Sequence, residues 1–209
     1  MKAIIFGATG GTGLELVSQC LAAGHSTSVF VRTPSKLKGL TPSIITGDVK
    51  NAAQVEAALA TPFDCVFIAL GGSGIMAPDD TCSVGTKNIL AALKKSAASP
   101  PPRLIVCSSM GVRNRGDISS FAAWLLKYPL ADKDIQEADV AASGLPFVIV
   151  RPTGLRDSGS VGLQSLAVVP SGPTPTTSIS RADVAAFMIA QATSDAHLSR
   201  AIGISWPKK

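Results

Sequence analysis

Seven consecutive small residues, Gly7-Ala8-Thr9-Gly10-Gly11-Thr12-Gly13, stand near the amino terminus. Glycines so spaced let backbone N–H groups approach a phosphate closely, and a helix opening behind them adds the positive end of its dipole. An apolar run at 2–6 precedes the turn, and Leu14, Val17 and Leu21 repeat at helical spacing after it. A strand, a glycine turn and a helix in that order are the context in which such a turn grips a dinucleotide diphosphate. A glycine turn that serves only the chain's own packing is the alternative. The second apolar run, 27–31, ends in Arg32-Thr33, and no acidic residue occurs between Glu15 and Asp48. A site for NAD carries Asp or Glu at this strand end, to bond the ribose 2′-hydroxyl. Arg32, helped by Lys36 or Ser35, suits a 2′-phosphate instead, so the expected cofactor is NADP(H). As a surface residue, Arg32 would be a solvated strand-end arginine.

These residues need a scaffold, and the rest of the chain spells one. Further apolar runs occur at 43–46, 64–70, 103–107 and 146–150, several without polar alternation, as in strands covered on both faces. Helical patterns lie between them: 52–59, alanine-rich after Asp48; 79–96, stopped by Ser99-Pro100-Pro101-Pro102; and 130–142, between Pro129 and Gly144. Ser180 is placed to cap a last helix at 181–193, with a final strand at 200–206. This alternation predicts an α/β, Rossmann-type, doubly wound parallel sheet flanked by helices, with 1–209 as a single domain. Residues 152–180 are rich in Gly, Ser, Thr and Pro around one apolar run at 166–169. That stretch is too long for a simple connector and is expected to form a short C-terminal substrate-covering segment.

Composition narrows the classes. The 209 residues are 46% hydrophobic and 16% charged, as in a globular chain. Mean hydropathy is +0.33, yet no apolar run approaches the ~20 residues that span a bilayer, so no membrane role is expected. The first strand reaches its glycine turn too early for a signal peptide, which points to the cytoplasm. The net charge of +5 is spread along the chain without a basic tract, so nucleic acid is not an expected partner. Cys20, Cys65, Cys82 and Cys107 have no metal or redox spacing and read as buried, reduced thiols. His25 and His197 stand far apart in sequence and supply no ligand pattern.

Taken in order, the glycine turn, Val31-Arg32, Gly47-Asp48-Val49, Ala69-Leu70-Gly71-Gly72, Ser108-Ser109 and Ser143-Gly144-Leu145-Pro146…Arg151-Pro152 resemble the atypical short-chain dehydrogenase/reductase superfamily. Within it, the likeness is to the NAD(P)H-binding group of biliverdin-IX-beta (flavin) reductase and NmrA-like proteins. Ile179-Ser180-Arg181-Ala182-Asp183-Val184-Ala185 resembles that group's late helix start. The resemblance implies roles. Asp48 would bond the adenine amino group beside Val49, and Ala69, Leu70 and Gly71 would pass along the ribose and phosphates. Ser108 and Ser109 would lie beside the nicotinamide, Lys133 would reach its ribose, and Pro152, Thr153 and Gly154 would line the carboxamide end. Read without the resemblance, Asp48 is equally a helix N-cap and Ser108-Ser109 a small polar turn.

Many relatives deliver a proton from a Tyr-x-x-x-Lys pair. Here the single tyrosine, Tyr128, is followed four residues on by Asp132, while Lys133 aligns with the family lysine. Five residues along a helix is about 500° of rotation, so Tyr128 and Lys133 would not share a face. The chemistry left is hydride transfer to a flavin, a quinone-like compound or another conjugated acceptor that draws its proton from water. Ser109 and Lys133 would be the catalytic-site groups, with Tyr128 as a candidate acid entering from a loop. Arg113-Asn114-Arg115 and Arg156 are expected to overhang the open end, where they could recognise an anionic small-molecule substrate. Phe121, Trp124 and Leu125 are expected to pack as a helix face. A redox-silent NADP(H) sensor of NmrA-like type, and an isomerase, dehydratase or cyclase using Asp157 or Asp132, remain as other readings.

Overall fold

Strands made of unbroken apolar residues are stable only where helices cover both faces. The computed structural model, which describes residues 1–72, 74–96 and 98–208, meets that condition. The elements run β1 (Lys2–Phe6), α1 (Gly11–Ala22), β2 (Ser26–Val31), β3 (Ser43–Thr46), α2 (Ala52–Ala58), β4 (Cys65–Ile68), α3 (Thr81–Ser96) and β5 (Arg103–Cys107). They continue with α4 (Ser120–Leu125), α5 (Lys127–Ala141), β6 (Phe147–Pro152), β7 (Gly154–Arg156), β8 (Ala167–Val169), β9 (Ser178–Ser180), α6 (Arg181–Gln191) and β10 (Arg200–Ser205). The main sheet has the order β3-β2-β1-β4-β5-β6-β10-β8. Every neighbouring pair is parallel except β10 with β8, where Ile204 faces Val168.

Residues of β1 divide the core between the two faces. Ile5 packs with Leu16 and Val17 of α1 and Met188 of α6. Ile4 and Phe6 pack with Val55 of α2, Ile89 of α3 and Val140 of α5. Strand order reverses between β1 and β4, the switch point at which a doubly wound sheet opens a crevice at its carboxyl ends.

The strands and the helices α1, α2, α3 and α6 lie where the sequence predicts them. Three expectations change. First, α5 begins at Lys127 with Pro129 inside its first turn, not after it. The N–H that proline lacks would have been unpaired there in any case, and the first helical bond runs from Leu130 N to Leu126 O at 2.9 Å. Second, the 152–180 stretch is more ordered than an irregular cover. Its apolar run becomes the antiparallel edge strand β8, while β7 and β9 form a separate parallel pair with Leu155 opposite Ile179. Third, Phe121 and Trp124 do not pack into a helix face. They are 70% and 66% exposed and meet each other, ring centroids 6.2 Å apart.

Capping follows residue chemistry. Ser180 accepts from Asp183 N at 3.0 Å and starts α6 as expected. Helix α2 is capped by Asn51, which accepts from Gln54 N at 3.1 Å, so Asp48 is not that cap. All four cysteines are free and buried. Burial pushes the Cys20 and Cys82 thiols up to about 11, which makes both poor nucleophiles. Among the described residues no helix is long and apolar enough to cross a membrane.

Asp183 in the first turn of α6 fastens the C-terminal segment. Its carboxylate accepts from Ser160 Oγ at 2.6 Å, Trp206 Nε1 at 2.7 Å and Val161 N at 3.2 Å. Burial works against its charge, but these hydrogen bonds outweigh it and hold the carboxyl below the usual range. A lowered folded-state value means the contribution is present above the unfolded value near ~3.9 and disappears as pH falls through the folded one. Asp183→Asn should therefore cost about 1–3 kcal/mol at pH 7. In urea unfolding from pH 7 down to pH 2, the gap to the parent should narrow at the acid end; a constant gap would contradict this account.

Candidate functional site

Backbone contact dictates the glycine turn. Gly7 has φ +82°, and a Cβ there would overlap the Ala69 carbonyl. A Cβ on Gly13 would overlap the Gly7 carbonyl, so α1 seats directly on the turn. Ala8 is fully buried in the core beneath. Gly10 precedes α1 without a side-chain cap, and the first turn contains no acidic residue. The helix thus begins with its N–H donors uncovered by any side chain of its own.

These donors border a cleft of about 550 Å³ along the carboxyl edge of the sheet. Gly7, Thr9, Gly10, Gly11, Thr12 and Gly13 line its middle. At one end stand Arg32, Lys36 and Val49; Ala69, Leu70 and Gly71 form the opposite wall; Ser108 and Lys133 close the other end. Among the described residues no carboxylate pairs with Arg32 or Lys36. Asp48 stands beside this lining rather than in it: its Oδ1 accepts from Lys50 N at 2.9 Å, and its own N–H donates to Gln54 Oε1 at 2.8 Å. Asn88 Nδ2 donates to the Val49 carbonyl at 2.9 Å and fixes that wall.

The far end rests on a polar lattice. Lys133 Nζ donates to the carbonyls of Cys107 at 2.9 Å and Leu70 at 3.3 Å, tying the ends of β4 and β5 together. Ser108 Oγ donates to Glu137 Oε1 at 2.5 Å. Glu137 is 3% exposed and accepts from Arg151 Nε at 2.9 Å and Nη2 at 2.5 Å. A carboxylate only accepts, so Ser108 commits its one proton to Glu137 and has only lone pairs left for the cleft. Thr153 Oγ1, just after β6, is buried and has no hydrogen-bond partner among the described residues.

Several expected residues lie elsewhere. Ser109 donates to the Met110 carbonyl at 3.1 Å and does not border the cleft; its neighbour Ser108 does. Tyr128 is also absent from the lining, and Lys127 Nζ lies 4.6 Å from its ring centroid. Pro152, Thr153 and Gly154 stay behind the lining, Gly154 N donating to Thr177 O at 3.1 Å. Arg115 pairs with Asp134 at 2.5 Å and is not a free cation; Arg156 Nε donates to the neutral Ser178 Oγ at 3.0 Å, and neither residue lines the cleft. Asp132 accepts from Cys82 N at 2.8 Å and Ser83 N at 2.9 Å, covering the start of α3; Asp157 pairs with Arg181 at 2.5 Å. Asp132 is thereby committed to the start of α3, whereas Asp157, 88% exposed, is held only by that surface pair and does not line the cleft.

Sequence reasoning passed over Glu137 and Arg181. Nothing local marks Glu137, whose partners come from β5 and β6. Arg181 carried one signal: once Ser180 is read as a cap, a cation opens the helix, against the dipole.

A model of the family described as NAD(P)H-binding matches residues 7–195. The reductase pytE of Aspergillus terreus is 28% identical over 228 residues, spanning 86% of this chain and 86% of the relative. The uncharacterized sugar epimerase YhfK of Bacillus subtilis (strain 168) is 27% identical over 171 residues, 80% of this chain and 78% of the relative. The solved structure of ChuY, an anaerobillin reductase from Escherichia coli O157:H7, superposes with TM-score 0.85 at 21% identity over 100% of this chain and 98% of that one. With the sheet order and the glycine turn already in place, the chain belongs to the NAD(P)H-binding family.

Proposed function

We propose that the protein is an NADPH-dependent reductase that passes hydride to a small conjugated acceptor, a flavin or quinone-like compound, without a tyrosine acid. The observation carrying this reading is that one cleft joins Arg32 and Lys36, the uncapped start of α1, and Ser108 with Lys133, while Tyr128 stands outside its lining.

The residues fit the cofactor. Arg32 and Lys36, without a carboxylate partner among the described residues, match a 2′-phosphate, and the N–H groups of the glycine turn match a diphosphate. A Cβ on Gly71 would meet nothing within 4 Å, so the opposite wall leaves room for ribose and phosphates. When bound, the nicotinamide supplies the hydride. The chain's own work is placement. Lys133 Nζ donates to the carbonyls of Cys107 and Leu70 and, at 3.5 Å, to Gln136 Oε1; a ribose hydroxyl would replace that longest contact. Ser108, its proton held by Glu137, accepts from an amide or ring N–H over the reacting face. With no carboxyl or tyrosine side chain among the described residues lining that end, the acceptor is one that spreads the incoming charge and takes its proton from water; proximity then supplies much of the rate.

Three measurements test this. Purified protein with NADPH and a panel of flavins, quinones and conjugated ketones should consume cofactor absorbance with at least one acceptor. Tight NADPH binding with no oxidation by any of them would favour a redox-silent sensor. Arg32→Asp should weaken NADPH binding by about 10–100-fold, the cost of charge-assisted hydrogen bonds, and leave NADH binding nearly unchanged. Equal losses in titrations with both coenzymes would refute the 2′-phosphate role. Tyr128→Phe should keep turnover within about 2-fold at unchanged NADPH affinity, whereas a tyrosine acid predicts a loss of about 10²–10⁴-fold.

A further inference from the structure

Arg181, the first residue of α6, lies directly on the glycine turn. A Cβ built on Gly11 would come within 2.5 Å of both Cδ and Nε of Arg181, so the arginine stem occupies the space that Gly11 leaves vacant. The residue borders the cleft, and its Nη1 donates to Asp157 Oδ1 at 2.5 Å. Asp157, the first residue after β7, is 88% exposed.

This arrangement is electrostatically unbalanced. A permanent cation leans against the positive end of α1, whose first turn has no acid. The counter-charge is one carboxylate in water, bound through one nitrogen, and an exposed pair of that kind contributes little. A guanidinium has five donors, and a phosphate that met it inside the cleft could take two in parallel. An anion seated between α1 and Arg181 would satisfy both cationic elements at once, which Asp157 cannot do from outside.

We propose that Arg181 is a diphosphate clamp that exchanges Asp157 for the dinucleotide's diphosphate, with Asp157 acting as a built-in competitor of the cofactor. The proposal rests on the reading of the cleft as a dinucleotide site. It adds a binding residue far from the glycine motif in sequence. It also couples cofactor arrival to the loop after β7, because the carboxylate that tethers this loop to α6 is released when the guanidinium turns to the phosphates.

The experiment titrates NADPH and, separately, 2′-AMP into the full chain and its variants by calorimetry, with thermal unfolding of each variant as a folding control. 2′-AMP carries the 2′-phosphate but no diphosphate. Asp157→Asn should tighten NADPH by about 2–5-fold, the scale of an exposed ion pair. Arg181→Met should weaken it by about 10-fold or more, and Arg181→Lys by less. Once Arg181 is Met, adding Asp157→Asn should change nothing further, because the two residues act through one contact. None of these changes should move 2′-AMP affinity. If the parent chain binds NADPH while Asp157→Asn leaves its affinity unaltered or lowers it, the clamp is wrong and the cleft reading stands. Equal shifts for NADPH and 2′-AMP also overturn the clamp, since they would report only the overall field. A parent chain that binds neither NADPH nor NADH overturns the cleft reading and the clamp with it.

Discussion

The site depends on a helix that starts bare. Helix α1 opens at Gly11 with neither a capping side chain nor an acidic residue in its first turn, and the backbone before it is pressed so close to the end of β4 that Gly7 can carry no side chain. Close backbone approach excludes a side chain at Gly7 and at Gly13, whereas a Cβ on Gly10, the capping position, would meet only the Gly7 carbonyl at an ordinary 3.5 Å. The N–H groups there are bare because glycine stands at the cap, not because a capping side chain lacks room. An external anion is the natural complement, and a switch-point crevice is where a doubly wound sheet admits one.

Charge around this opening is arranged by distance from it. At the Arg32 end, cations stand without carboxylate partners among the described residues. At the Ser108 end, every nearby carboxylate is engaged: Glu137 with Arg151 and Ser108, Asp132 with the start of α3, Asp134 with Arg115. The cleft therefore changes character along its length, from anion-receptive to quietly polar. Such a gradient suits a ligand with phosphates at one end and a flat, uncharged or weakly charged ring at the other. Asp132, an acid/base candidate by residue type, loses that role in the fold because it already holds the start of α3 in position.

The segment after β6 is stitched to the sheet rather than draped over it. Strand β8 pairs with β10, β7 pairs with β9, and Asp183 gathers Ser160, Val161 and Trp206. Of its links, Asp157 to Arg181 touches the cleft itself, which makes it the one that a bound phosphate can reach.

Sequence alone determined the sheet and the place of the phosphate turn. Unbroken apolar runs, helical repeats and glycine spacing are local consequences of burial on two faces and of close backbone approach. The missing acid after β2 and the presence of Arg32 were legible for the same reason, since one strand end fixes their position. Tertiary structure decided which groups face the ligand. Ser108 and Ser109 are adjacent, and extended residues point alternately to opposite sides, so only the packing of α5 selects Ser108. Glu137 meets Ser108 and Arg151 across two strands, and Arg181 meets Gly11 from the opposite end of the chain. Contacts of that kind leave no periodicity in the residues around them; they exist only once the helices are laid on the sheet, because the facing side chain is chosen by geometry that no local stretch contains.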